Sequence, residues 1–297
     1  MADSMALSKS RLDLRPSDKG VGAEIYGLDL AKPLDDAIFA EISAAFDRYS
    51  VLVFRDQQLT PAQRVGFSRR FGTLQINPRS EFNNPSFPEI YTVSNIQKDG
   101  KPIGSADAGR YWHSDLCYME IPTQASLLYA IEVPERAGVT LGNTLFASAC
   151  AAYDELPDGI KRRCAGLRAV NSYNAMFDRK AAEFGIRPKL SESDKAKYPK
   201  DAIHPVIRTH PTTGRKCIYV CEGYTTRILD VSEEESRELL AILFAQVTES
   251  QNIYRHSWRV GDLLMWDNCA VQHLATFDYA PLHRHMERTT VEGSIPY

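Results

Sequence analysis

The sequence predicts a mainly β protein with flanking helices, its strands stacked as a double-sheet jelly roll whose inward-facing residues line a pocket. Three observations carry this. Short alternating or wholly apolar runs recur from Glu89 to Glu292; helical periodicity is confined to a few segments; and Pro211-Thr212-Thr213-Gly214-Arg215 marks a tight turn between two strand-like runs, hence a hairpin. In 297 residues, 43% are hydrophobic and 25% charged, an ordinary globular composition. One domain over 21–297, after a loosely held N-terminal segment at 1–20, is the expected organisation.

Taken in order, Val21 to Leu30 alternates like a strand or two, with Gly27 at a turn. Asp36 to Tyr49 is expected as a helix, because Ile38, Phe39, Ile42, Ala45 and Phe46 fall on one stripe. Val51-Leu52-Val53-Phe54 is expected as a buried strand. Thr60-Pro61-Ala62-Gln63 opens a second helix with a capping box and proline in its first turn, closed by Gly72. Strands are then expected at Ile90–Ser94, Ala125–Val133, Thr144–Ala147, Leu167–Ser172, His204–Thr209, Lys216–Cys221, Leu263–Trp266 and Glu287–Glu292. Helices are expected at Ser148–Leu156 and Ser232–Thr248, the latter with a second capping box and a stripe of Leu239, Leu240, Leu243, Phe244 and Val247. Residues 178–201, dense in charge and holding Pro188 and Pro199, are expected as a solvated surface insertion; gating or subunit contact is the other reading.

A net charge of −3 gives no basic footprint for nucleic acid or membrane surface. No apolar run approaches the roughly 18 residues of a membrane span, and the N-terminus lacks a signal-peptide core, so a cytoplasmic protein is expected. Six cysteines (117, 150, 164, 217, 221, 269) show no metal-ligand spacing. Cys217 and Cys221 should share a strand face, and all six are expected as free, buried thiols.

The chemistry lies in His113-Ser114-Asp115. On a strand the two outer side chains share a face. With a second imidazole from elsewhere they make a 2-His-1-carboxylate facial triad, which leaves open positions on Fe(II) for a cosubstrate and O2. His273 follows Trp266-Asp267-Asn268 and is the candidate for that imidazole. Arg284 and Arg288 lie an even number of residues apart, so on a strand they share a face, roughly 13 Å apart at most, and can address two anions in one cavity. A pair of buried arginines without anions would be costly. His204 and His210 are expected in structural hydrogen bonds, His283 and His285 outward, and His256 has no partner visible in the sequence.

Trp112-His113-Ser114-Asp115, Gly142-Asn143-Thr144-Leu145-Phe146-Ala147-Ser148, His204-Pro205 with Thr209-His210-Pro211 and Thr213-Gly214-Arg215, and Trp266-Asp267-Asn268 through His273 to Arg284 and Arg288 together resemble the taurine dioxygenase/2,4-D dioxygenase (TauD/TfdA) family. The ordered blocks span nearly the whole chain. The resemblance implies a double-stranded β-helix core, Fe(II), and 2-oxoglutarate and O2 as cosubstrates. It implies His113, Asp115 and His273 as metal ligands and Arg284 with Thr144 on the distal carboxylate of 2-oxoglutarate. It also implies Arg288 on the anionic group of the prime substrate, and a homo-oligomer. The chain departs from the family's usual Gly-Gly-Asp-Thr at Leu141-Gly142-Asn143-Thr144, which alters a turn. Asn77 stands where taurine-type members carry a histidine that contacts the sulfonate; asparagine brings no charge, which disfavours taurine. Tyr173 and Tyr224 align with pocket phenylalanines, keeping an aromatic wall while adding polar handles. The expected substrate is therefore a small, partly aromatic anion such as an aryloxyalkanoate, hydroxylated with release of succinate and CO2. The alternatives are an alkylsulfonate or alkyl-sulfate dioxygenase and, from another class, a non-redox cupin-like metal-binding protein or zinc hydrolase.

Overall fold

Val51-Leu52-Val53-Phe54 is apolar at every position because both of its faces are covered: Leu52 and Phe54 pack towards the N-terminal helices, Val51 and Val53 into a second core with Phe146, Trp258 and Trp266. The computed structural model describes residues 12–78, 80–185, 190–196, 198, 200–249, 251 and 253–297. Val51–Phe54 lies inside a seven-stranded sheet ordered Asp13–Pro16, Ala23–Tyr26, Val51–Phe54, Leu263–Asp267, Thr123–Glu132, His285–Glu292, Tyr91–Ser94. Ala23–Tyr26 runs parallel to Val51–Phe54, and the other named pairs are antiparallel. A three-stranded antiparallel sheet of Ile253–His256, Thr144–Ser148 and Val271–Ala275 supplies Phe146 and Val271 to the second core. Another three-stranded sheet joins Ala202–Pro205, Arg168–Asn171 and Thr225–Ile228. The chain is thus mainly β with flanking helices. Among the described residues no helix is long and apolar enough to cross a membrane.

The expected helices Asp36–Tyr49 and Pro61–Arg69 form, the second with the reciprocal Thr60–Gln63 capping box. It ends at Arg69, with Arg70 as its cap, so Gly72 lies beyond the helix end. Glu233–Val247 is capped by Ser232 alone, because the Glu235 carboxylate turns to Arg163 at 3.3 Å. The expected strand His204–Thr209 divides at Val206, whose N–H donates to Leu167 while its carbonyl accepts from Tyr219. Ala202–Pro205 therefore pairs with Arg168–Asn171, and Ile207–Thr209 forms the expected hairpin with Lys216–Ile218. Residues 13–16, within the segment expected to be loose, form an edge strand; residues 1–11 lie outside the described residues. In the charged stretch, residues 178–184 continue the helix Tyr173–Phe184, while 186–189, 197 and 199 lie outside the described residues.

The cysteine expectation needs correction. Cys150 and Cys217 form a disulfide, made possible because helix Ala149–Glu155 packs on strand Lys216–Ile218 across 67 residues of sequence. That strand stops at Ile218, and Cys221 turns instead to Cys117, sulfur to sulfur 3.7 Å; Cys117, Cys164, Cys221 and Cys269 are free and buried as expected.

Leu127 is fully buried at the centre of the large sheet, between Met265 and Thr289. Leu127→Ala should cost about 2–5 kcal/mol, read by chemical denaturation with an unchanged dependence on denaturant.

Candidate active site

The three residues proposed from spacing converge, by a different local geometry from the one expected. His113 and Asp115 are not on a strand. His113 forms an isolated bridge with His273, each N–H donating to the other's carbonyl (3.1 and 2.8 Å), and a turn begins at Asp115. The facing strand Val271–Ala275 therefore dictates where His113 sits. The ligand-type atoms of His113, Asp115 and His273 all lie within 4.8 Å of one another, and all three residues are buried. His113 Nε2 is 3.6 Å and His273 Nε2 4.0 Å from Asp115 Oδ1.

Their neighbours prepare them as donors. His113 Nδ1 lies 2.9 Å from the Tyr111 carbonyl, so Nδ1 carries a proton and Nε2 is the nitrogen turned towards Asp115. Asp115 Oδ2 accepts from Ser126 Oγ at 2.6 Å, and its backbone N–H donates to Asn268 Oδ1. Asn268 is itself held by Trp266 Nε1 and by its own bond to Ser126. Burial alone would raise the Asp115 carboxyl, but the Arg288 guanidinium at 2.6 Å, then His273 and His113, hold it well below the usual carboxylate range. Burial, then His113, pushes His273 well below its ordinary value, keeping it a neutral imidazole. A carboxylate oxygen and two imidazole nitrogens gathered within 4.8 Å of one another are the donor set of a facial-triad site.

Two cavities meet at this cluster. The inner one is lined by Thr144, Leu128, Trp266, His273, Arg284 and Arg288 among others. Arg284 is buried, burial lowers its guanidinium to about 10, and among the described residues no carboxylate pairs with it; its Nε has no hydrogen-bond partner. Beside it Thr144 Oγ1 accepts from Trp258 Nε1 at 3.0 Å. A buried unpaired cation is costly and implies an anionic partner. Gly142 allows this arrangement: at φ +68° a Cβ would meet Arg284 Cδ at 2.9 Å. Gly142→Ala should therefore destabilise the fold by about 1–3 kcal/mol in thermal unfolding.

The outer chamber is lined by Asn77, Tyr118, Tyr173, Tyr224 and Arg288 together with His113 and Asp115. Tyr118 packs between Tyr173 and Tyr224 in tilted contacts, with ring centroids 5.0 and 4.9 Å away. The side-chain positions proposed from the sequence are thus brought together around two connected spaces. Sequence reasoning did not single out Ser126, Tyr118, Trp258 or Lys180. Lys180 had a signal, since Tyr173, Met176, Phe177 and Lys180 share one helical face; Ser126 had none.

The remaining histidines are accounted for locally. His204 Nε2 meets the Met119 carbonyl, and His256 is fully buried against Asp262 at 3.1 Å. His283 is exposed, whereas His285 is only half-buried. His210, Asp267 and Cys269 form a second compact cluster. There His210 Nδ1 accepts two backbone N–H groups and Nε2 donates to Asp267 at 2.6 Å, so no lone pair is left for a metal.

Residues 13–290 match the family described as taurine catabolism dioxygenase TauD, TfdA family. The chain belongs to the TauD/TfdA family. It is a 2-oxoglutarate-dependent dioxygenase, an oxidoreductase. Similar proteins include pentalenolactone F synthase of Streptomyces arenae, 33% identical over 278 residues and 91% of each chain. The 2,4-dichlorophenoxyacetate dioxygenase of Burkholderia sp. (strain RASC) is 33% identical over 285 residues, again 91% of each chain. The sulfate ester dioxygenase of Pseudomonas putida is 31% identical over 96% of this chain and 91% of its own. Among solved structures, AAD-2 in complex with Mn(II) and N-oxalylglycine superposes with a TM-score of 0.81 at 32% identity, covering 97% of this TauD/TfdA member and 98% of AAD-2.

Proposed function

We propose that this enzyme uses Fe(II), held by His113, Asp115 and His273, to hydroxylate a C–H bond of a small, partly aromatic anion, with aryloxyalkanoates as the leading class. The observation that carries the reading is the meeting of two cavities at one His/Asp/His cluster, the inner one ending in the unpaired Arg284. The seven-stranded and three-stranded sheets, facing each other across the Phe146–Trp266 core, are in this reading the walls of a double-stranded β-helix.

When bound, iron and 2-oxoglutarate supply the oxidising chemistry, with succinate and CO2 as co-products. The chain's part is positioning. Arg284 takes the distal carboxylate of 2-oxoglutarate, with the Thr144 hydroxyl beside it, which answers the buried charge. Ser126 and Asn268 hold the Asp115 turn in place. Arg288 lines both spaces, so turning from Asp115 to a substrate anion requires no passage through solvent. Tyr173, Tyr224 and Tyr118 offer aromatic faces, and Asn77 closes the chamber with an uncharged amide.

Arg288→Ala should weaken the prime substrate about 10- to 100-fold, the loss of a charge-assisted hydrogen bond, with the KM for 2-oxoglutarate little changed. The function is tested by a succinate-release screen over phenoxyalkanoates, arylalkanoates, sulfonates and sulfate esters. Turnover dependent on Fe(II) and 2-oxoglutarate with phenoxyalkanoates supports the reading. Sulfite or sulfate release in preference would move the enzyme to the sulfonate or alkyl-sulfate class. Tight zinc binding without any succinate would favour the hydrolase alternative.

A further inference from the structure

We propose that Trp258 is a positioning residue for the cosubstrate. Its indole N–H occupies one lone pair of Thr144 Oγ1, which leaves the hydroxyl hydrogen to be donated to the distal carboxylate of 2-oxoglutarate beside Arg284. The inference deepens the proposed function and rests on Arg284 holding that carboxylate. Thr144 and Arg284 both line the inner cavity, whereas Trp258 is packed in the core with Phe146 and Trp266, 1% exposed. Its Nε1 donates to Thr144 Oγ1 at 3.0 Å, and the Arg284 guanidinium lies 5.8 Å from its ring centroid. One buried side chain therefore adjoins both groups assigned to the carboxylate.

An indole nitrogen donates and never accepts, whereas a hydroxyl has one hydrogen and two lone pairs. The bond from Trp258 thus engages the Thr144 oxygen and leaves its hydrogen unspent; among the described residues Thr144 Oγ1 makes no other hydrogen bond. A carboxylate is an acceptor only, so the unspent hydrogen is the half of the hydroxyl it needs. Without the indole the hydroxyl rotates freely, and some of its orientations set a lone pair against the carboxylate. A donor oriented before the ligand arrives loses less freedom when it binds.

Trp258 is itself held on both sides. Asp262 Oδ2 accepts from the backbone N–H of Arg259 at 2.8 Å and from Arg55 Nη1 at 2.6 Å. The same Arg55 nitrogen donates to the Ser257 carbonyl at 3.4 Å. The residues before and after Trp258 are therefore tied to one buried ion pair. His256 packs edge-on against the indole, ring centroids 4.5 Å apart at 90°, and burial pushes it below its ordinary value, so the ring beside Trp258 stays neutral. The indole is a fixed backing for Thr144 rather than a side chain that can follow it.

The test is calorimetric titration of the enzyme loaded anaerobically with Fe(II). The probes are 2-oxoglutarate and 2-oxopentanoate, which keeps the keto acid and lacks the distal carboxylate. Trp258→Phe keeps a ring and removes the N–H; it should weaken 2-oxoglutarate about three- to tenfold, and 2-oxopentanoate should not distinguish it from the wild type. Thr144→Val should weaken 2-oxoglutarate about tenfold or more, and Thr144→Ser should retain most of the affinity. Trp258→Phe added to Thr144→Val should weaken it no further. A general loosening of the core would instead weaken both keto acids and add to the Thr144→Val loss. Where Trp258→Phe fails to fold, β-(3-benzothienyl)alanine at position 258 fills the same volume without the N–H, and the same outcomes apply. Unchanged 2-oxoglutarate affinity in the Trp258 variant or in Thr144→Val, an equal loss for both keto acids, or an additive double variant overturns the inference. If Arg284→Ala weakens 2-oxoglutarate while Trp258→Phe changes nothing, only this inference fails. If Arg284→Ala also leaves it unaffected, the inner cavity is not the cosubstrate site.

Discussion

His113→Ala abolishes succinate release dependent on Fe(II) and 2-oxoglutarate, by on the order of 10³-fold or more in kcat/KM, because two donors do not hold a metal that three position. The protein stays folded. The substitution removes a buried ring that contacts Tyr224 and the Tyr111 carbonyl, a loss of about 1–3 kcal/mol against a typical total of about 5–15. Far-UV circular dichroism beside the activity assay separates the two effects. Asp115→Asn is the better companion to it than Asp115→Ala. Removing the whole carboxylate leaves Arg288 buried without its 2.6 Å partner, a penalty of about 3–5 kcal/mol that would confuse lost chemistry with lost stability. Wild-type turnover in either variant would refute the triad.

Arg284→Ala raises the KM for 2-oxoglutarate by about two to four orders of magnitude, as expected when a buried charge pair worth about 3–5 kcal/mol loses one partner. The same variant carries an opposite signature in the absence of ligand. Arg284 is buried with no carboxylate paired to it among the described residues, so its removal relieves a desolvated charge. Unliganded Arg284→Ala should therefore melt no lower than wild type. Addition of 2-oxoglutarate should raise the melting temperature of the wild type and leave the variant unmoved. A variant that keeps normal 2-oxoglutarate affinity would put the cosubstrate elsewhere.

Much of this was legible because local rules and global fold agree. Asp36–Tyr49 and Val51–Phe54 have the expected bounds, since an amphipathic stripe and a doubly covered strand leave clear periodicities. The strand expected over His204–Thr209 divides because Val206 changes partners between two sheets, and such a change leaves no periodicity in the sequence. The Cys150–Cys217 bridge depends on a helix meeting a strand far away in sequence. At the site the residues were readable but their reason was not. His113 and Asp115 face one point because His113 pairs with the strand bearing His273, not because they alternate on a strand of their own. Ser126, which holds Asp115, is one hydroxyl on a long strand and carries no mark of its contact.

The most direct measurement is a crystal structure grown anaerobically with Fe(II) and 2-oxoglutarate. The account predicts one metal about 2.0–2.3 Å from His113 Nε2, an Asp115 oxygen and His273 Nε2, with the far carboxylate of the keto acid on Arg284. Two imidazoles and a carboxylate directed at no common point, or a metal held instead by His210, Asp267 and Cys269, would contradict it.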